Sequence, residues 1–269
     1  MNVASRIHVG IGGWTFAEWR GSFYPDGLKH DDELAYASRR LTSIEINGTY
    51  YRTQTPASFA KWRDATPEGF VFSVKASRFA TNRRVLGEAG ESIERFVNSG
   101  LAELGPKLGP LVWQLAPTKV FDEADVDSFF TLLPRRVAGV ALRHVLEVRH
   151  PSFAVPAYLA LARRHDVATV LADTDDHPSF ADPTGPFVYA RLMRTDPQQE
   201  TGYPEGAIAG WADCARRWTA GEDPAELPHV GAVAETVSAG RDVFIYFISG
   251  AKEKAPFAAM ATIEQLARD

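Results

Sequence analysis

Residues 43–51 read SIEINGTYY. Ile44 and Ile46 alternate with Glu45 and Asn47, the two-residue period of a β-strand. A half-buried strand would turn its polar parity to water. The other apolar runs of the chain read as strands covered on both faces, as in a parallel sheet. They are IHVGIGG (7–13), FVFSVKAS (70–77), PLVWQLA (110–116), HVLEVRH (144–150), ATVLAD (168–173), FVYARLM (187–193) and VFIYFIS (243–249). Helical stretches lie between them: DDELAYASRR (31–40), PASFAKWRDA (56–65), GESIERFVNSGLAELG (90–105), EADVDSFFTLL (123–133), VPAYLALARRH (155–165) and APFAAMATIEQLAR (255–268). Strands alternating with helices imply parallel βαβ units, and eight strands within 269 residues predict an α/β fold of the (β/α)8 TIM-barrel type.

An open doubly wound sheet is the competing architecture. It would carry a phosphate-binding turn after an early strand, and GIGGWT from Gly10 only half fits. Thr15 stands at the last glycine position, and FAEWRGSFYP opens no helix. No linker or low-complexity run divides the chain, so one domain over 1–269 is expected. Its irregular part is 194–241: a turn-rich loop, the helix AIAGWADCARRW (207–218), and a second loose run over 219–240 that reads as an insertion before the last strand.

Composition narrows the function classes. The chain is 45% hydrophobic and 23% charged, with a formal net charge of -5. That balance opposes a general nucleic-acid binder, which normally carries a basic field. The single cysteine, Cys214, excludes an internal disulfide and a cysteine-cluster metal site. MNVASRIHVG has no apolar signal region and no uninterrupted apolar run is long enough to span a bilayer, so a cytoplasmic protein without membrane partners is expected.

Barrel strands turn one parity to the interior and the other to the helices. Assigning the polar parity inward places Glu45, Asn47, Ser73, Lys75, Gln114, Glu147, Arg149, Asp173, Arg191 and Tyr246 inside, toward the C-terminal ends where barrel active sites form. The opposite parity, including Ile44, Phe72, Val74, Trp113, Leu146, Val170 and Ile245, is apolar. Glu45 and Asn47 are therefore read as facing the interior. Buried ions need partners or a ligand. Internal ion pairs such as Glu45–Lys75 and Glu147–Arg149 are one resolution, and a binding site is the other.

The loop SRFATNRR (77–84) adds Arg78, Asn82, Arg83 and Arg84 to the same mouth, and Arg194 joins Arg149 and Arg191 there. Guanidinium groups grip carboxylate or phosphate bidentately, so the mouth is expected to attract an anion. Trp14, Phe16, Trp19, Tyr24 and Tyr51 could supply flat walls for a sugar or base. The sequence has neither a G-x-S-x-G elbow nor an H-E-x-x-H zinc motif. A metal held by Glu147, His150, Asp173 and His177 would lack a close histidine pair. Glu45 and Glu147 could also form a glycosidase-type carboxylate pair.

Five segments resemble the family known as domain of unknown function 72. They are GIGGWTFAEWRGSFYP (10–25), the run from LTSIEINGTYY to FVFSVKAS (41–77), LGPLVWQLAP (108–117), LEVRHPSF (146–153) and YARL (189–192). The resemblance implies a TIM barrel and a pocket lined by Trp14, Glu45, Asn47, Tyr51, Lys75, Gln114, Glu147, Arg149 and Arg191. It implies no reaction. Met193 stands where the family has a histidine, Phe153 where it has a tryptophan, and Ser249 where it has asparagines.

These readings converge on an enzyme without metal or cofactor, doing acid–base chemistry on a small anionic, sugar-like substrate. Lys75 would be the general base or electrophile, with Glu147 or Glu45 as proton-transfer partner. Arg149, Arg191 and Arg78 would clamp the anion, and Trp14, Asn47, Tyr51, Gln114, Asp173 and Tyr246 would complete the pocket. The alternatives are a metabolite- or single-strand nucleic-acid-binding module and a metal-dependent hydrolase or isomerase.

Overall fold

The β-branched and aromatic runs pair in parallel around a closed ring. In a computed structural model describing residues 6–268, the barrel strands are β1 (Ile7–Gly12), β2 (Ser43–Ile46), β3 (Val71–Lys75), β4 (Leu108–Gln114), β5 (His144–Glu147), β6 (Ala168–Asp173), β7 (Phe187–Leu192) and β8 (Asp242–Phe247). Each pairs with the next in sequence, and β1 pairs with β8 to close the barrel. At the β1–β2 seam the strands approach so closely that a Cβ on Gly10 would lie 1.8 Å from the Ser43 carbonyl oxygen.

The helices follow from local signals. Helix α1 (Glu33–Ala37) is short; α2 (Pro56–Ala65) starts on a proline and is capped by Thr55, whose hydroxyl accepts from the Ser58 amide. One turn, α3 (Arg78–Thr81), is capped by Ser77 in a stretch expected to be loop. The helical pattern over 90–105 is cut short. Helix α4 (Gly90–Val97) stops, Gly100 takes φ 115°, and a 3-10 segment (Leu101–Lys107) continues. A Cβ on Gly100 would meet Pro56 Cα at 2.6 Å, so α2 packs where only glycine fits. Helices α5 (Glu123–Leu132), α6 (Pro156–Arg164), α7 (Glu205–Thr219) and α8 (Ala255–Ala267) complete the layer. A small antiparallel ribbon, Arg136–Val137 against Val140–Ala141, precedes β5; its turn residues Ala138 and Gly139 both have positive φ.

Two apolar assemblies result. Ile44, Val74, Trp113, Leu146 and Ile245 face the helices, whereas Val112, Val145, Val170, Tyr189, Phe244 and Tyr246 pack inside the barrel. Val170 thus lies inside, opposite to the parity read from sequence. At the N-terminal end the interior is plugged by the His8 ring stacked on Phe244, with Arg143 and Arg6 both bonded to Asp242. Between β7 and β8, residues 220–241 are irregular but tied down. Asp182 accepts from the Val230 and Gly231 amides, and Asp223 from the Ala234 amide. Among the described residues no helix is long and apolar enough to cross a membrane.

Candidate active site

Arg191, projecting from β7, is 3% exposed and stands between two buried carboxylates. Its Nη2 donates to Glu45 Oε1 at 3.0 Å, and its Nη1 donates to Glu147 Oε2. Glu147 Oε1 accepts from Arg149 Nε at 2.7 Å. Gln114 Oε1 accepts from Arg149 Nη2 at 2.9 Å, and the Tyr189 hydroxyl donates to Glu45 Oε2 at 2.6 Å. Side chains from β2, β4, β5 and β7 therefore form one network at the C-terminal end of the barrel. Asn47 lies just above it: its Nδ2 donates to the Glu45 carbonyl, over Gly12, where a Cβ would approach that nitrogen to 2.9 Å.

Lys75 enters from β3 and is only 9% exposed. Its ammonium lies 4.5 Å from the centre of the Tyr50 ring, and among the described residues Nζ makes neither a hydrogen bond nor an ion pair. Burial is the main force lowering its pKa, and Arg191 adds to it. Glu45 and Glu147 oppose them, and the result is about 8. Burial would raise the Glu147 carboxyl, but Arg191, Arg149 and Lys75 outweigh it and hold the group below the ordinary carboxylate range. Arg191 is driven the other way: burial disfavours its charge, and Glu147 and Glu45 more than restore it. Two carboxylates thus face three cations, and Lys75 is the cation left over.

Of the residues expected at the mouth, Glu45, Gln114, Glu147, Arg149 and Arg191 share the network, with Lys75 and Asn47 beside it. Five others are placed differently. Asp173 stands opposite Leu192 in the β6–β7 register, with Ala172 opposite Arg191. Its carboxylate therefore leaves the interior, accepting from Arg194 Nε at 2.8 Å and the Tyr203 hydroxyl at 3.3 Å. The Trp14 ring packs on Trp62 of α2 and on Phe72, from the helix-facing side of β3, because the chain turns outward after Gly12. Tyr246 is a brace beneath the mouth, its hydroxyl bonded to Ser43 Oγ and Ser73 Oγ at 2.6 and 2.7 Å. Tyr51 and Arg78 lie on the exposed rim. The anticipated Glu45–Lys75 pair is replaced by Glu45–Arg191, whereas Glu147–Arg149 forms.

Three residues belong with this site although sequence reasoning left them out of the pocket. Tyr189 holds Glu45, and Tyr50 rather than Tyr51 meets Lys75. His177, on the β6–β7 loop, has a buried Nδ1 without a partner among the described residues. Its pKa is lowered by burial first and then by Arg149. Glu147, His150, Asp173 and His177 do not assemble as a tetrad: His150 Nδ1 caps Ser152, Asp173 is held by Arg194, and among the described residues no three His, Cys, Asp or Glu side chains converge as a metal site. Tyr189→Phe should cost about 1–2 kcal/mol in denaturant unfolding, since one oxygen of a buried carboxylate loses its donor. No loss would mean that Glu45 finds another partner.

Solved structures share this architecture. A DUF72 family protein from Thermotoga maritima MSB8 is 18% identical, with a TM-score of 0.69 covering 98% of this chain and 99% of that one. A DUF72 family protein from Enterococcus faecalis V583 is 17% identical, with a TM-score of 0.66 covering 97% and 94%. Among curated proteins, the UPF0759 protein YecE of Escherichia coli K12 is 24% identical over 147 residues, 55% of this chain and 50% of that protein. The match thus spans about half the length of the curated relatives. Residues 8–269 match the family model described as "Protein of unknown function DUF72", and the chain belongs to that family.

Proposed function

We propose that the mouth carries out acid–base chemistry on a small anionic, sugar-like substrate, with Lys75 as the group that exchanges the proton. The observation that carries this reading is Lys75 itself: a buried amine with no hydrogen-bonding partner among the described residues, its pKa lowered to about 8 by burial, beside a surplus of positive charge. A general base works best with a pKa near the working pH. Glu147 and Glu45 are bound to guanidinium groups, which suits them to fixed anions that position Arg191 and Arg149. The two arginines would receive the substrate's anionic group, drawn in by the site's surplus positive charge, and Lys75 in its neutral form would take the proton. A metal-dependent reading would require both carboxylates to be released from Arg191.

Sulfate, whose charge is constant from pH 6 to 10, is a suitable probe. At equal ionic strength it should raise the melting temperature more than sodium chloride does, by mass action on the folded state. That excess should fade as the pH rises beyond about 8 and Lys75 loses its proton. Lys75→Met should remove most of it. Chemistry is tested by incubating the protein with sugar phosphates and hydroxy acids in deuterated water. Wild-type protein should wash deuterium into a carbon position of its substrate, and Lys75→Arg, which keeps the charge but cannot act as a base, should not. Binding without exchange would favour the non-catalytic module. Equal responses to sulfate and chloride would remove the anion site.

A further inference from the structure

A line of rings and cations leads out of the barrel from Lys75. Its ammonium lies 4.5 Å from the Tyr50 ring centre, and Tyr50 and Tyr51 meet edge to face at 5.0 Å. The Arg78 guanidinium is 5.9 Å from the Tyr51 ring and 5.6 Å from the Phe79 ring. Tyr51 and Phe79 are 66% and 62% exposed, the two aromatic rings among the large apolar side chains that are exposed. A single exposed ring is ordinary; two flanking one arginine form a stacking platform. At the inner end, Arg191 Nε is buried without a partner and Lys75 Nζ has no hydrogen bond among the described residues.

We infer that the ligand of this mouth is a nucleoside monophosphate or a close analogue, its phosphate directed toward Lys75 and Arg191 and its planar base laid on Tyr51, Arg78 and Phe79. This rests on the anion-binding reading above and adds the ring. An anion alone leaves the platform unused, and a flat neutral ring alone leaves the buried cation uncompensated. Every base has a π-face, so the platform selects for a ring rather than for a sequence. A single-stranded nucleic acid would also stack. The net charge of -5 opposes a polyanion, however, and Arg83 is bonded to the Phe79 carbonyl and Ser92 rather than turned to a backbone.

Calorimetric titration of the full chain with adenosine 5'-monophosphate, ribose 5-phosphate and an adenine octanucleotide tests the inference. The monophosphate should bind about tenfold more tightly than ribose 5-phosphate, the size of one stacking interaction. The Tyr51→Ala/Phe79→Ala variant, altered at exposed positions only, should bring that ratio close to one. Equal affinities in the wild type, with ribose 5-phosphate still bound, would overturn the ring while leaving the anion site standing. Failure of both phosphates to bind would overturn the anion site as well. An octanucleotide that binds more tightly than the monophosphate, with affinity falling steeply in salt, would replace the inference with single-strand binding.

Discussion

Lys75→Met is expected to melt at a higher temperature than the wild-type protein at pH 7, while losing the response to sulfate. The ammonium's fall from 10.5 to about 8 is a cost of about 3 kcal/mol for carrying the charge in the folded state. Removing it leaves Glu45 and Glu147 against Arg149 and Arg191, a balanced set already joined by hydrogen bonds. Methionine fills a similar volume with no charge to desolvate. Allowing for imperfect fit, a gain of about 2 kcal/mol, roughly 5 °C for a chain of this size, should be measured.

The pH dependence fixes the sign. Below about pH 8 Lys75 is protonated in both states, and the full cost falls on the folded one. Between about 8 and 10.5 the unfolded chain holds the proton and the folded chain does not, so wild-type stability rises with pH. The Met variant lacks that rise, and the two melting temperatures should converge near pH 10. A protein less stable than wild type at pH 7 would show that Lys75 supports the fold, and the case for a proton-transfer group held at a stability cost would go with it.

Much of the fold was legible because barrel strands obey parity. Glu45, Lys75, Gln114, Glu147 and Arg191 each interrupt an apolar run, and a charged group in a strand covered on both sides has few other places to go. The reading failed where that contrast was missing. In ATVLAD the inward residue at the mouth is Ala172, which gives no polar signal, so Asp173 was placed there instead. Tyr189 shares the inward parity of Arg191, but an aromatic ring within an apolar run gives no sign that its hydroxyl holds Glu45. Trp14 follows Gly13, whose φ of 72° turns the chain away from the strand direction and ends the parity rule. Tyr50 and Tyr51 are adjacent on a 3-10 turn, where one residue's difference decides between the mouth and the rim.

Arg191→Met should give the largest loss of stability at this site, about 3–5 kcal/mol and roughly 10 °C. Its guanidinium is the cation bonded to Glu45, and that carboxylate is fully buried. Without Arg191 the Glu45 carboxylate keeps only the Tyr189 hydroxyl as a donor, and Lys75, the nearby cation, makes no ion pair with it among the described residues. In the wild type the Glu147 carboxyl is held below its unfolded value, so its contribution is present at neutral pH and declines as acid protonates it. In the variant, burial of Glu147 acts against weaker opposition once Arg191 is gone, and that carboxyl is driven to take up a proton on folding. That stabilises the variant only at low pH, so its deficit should be largest at pH 8 and shrink toward pH 5. Adding Glu45→Gln removes the stranded charge, and the Glu45→Gln/Arg191→Met double variant should be more stable than Arg191→Met alone, a coupling expected of two groups in direct contact. A deficit independent of pH, with no recovery in the double variant, would mean that Arg191 acts through packing, and the electrostatic account of the mouth would have to be abandoned.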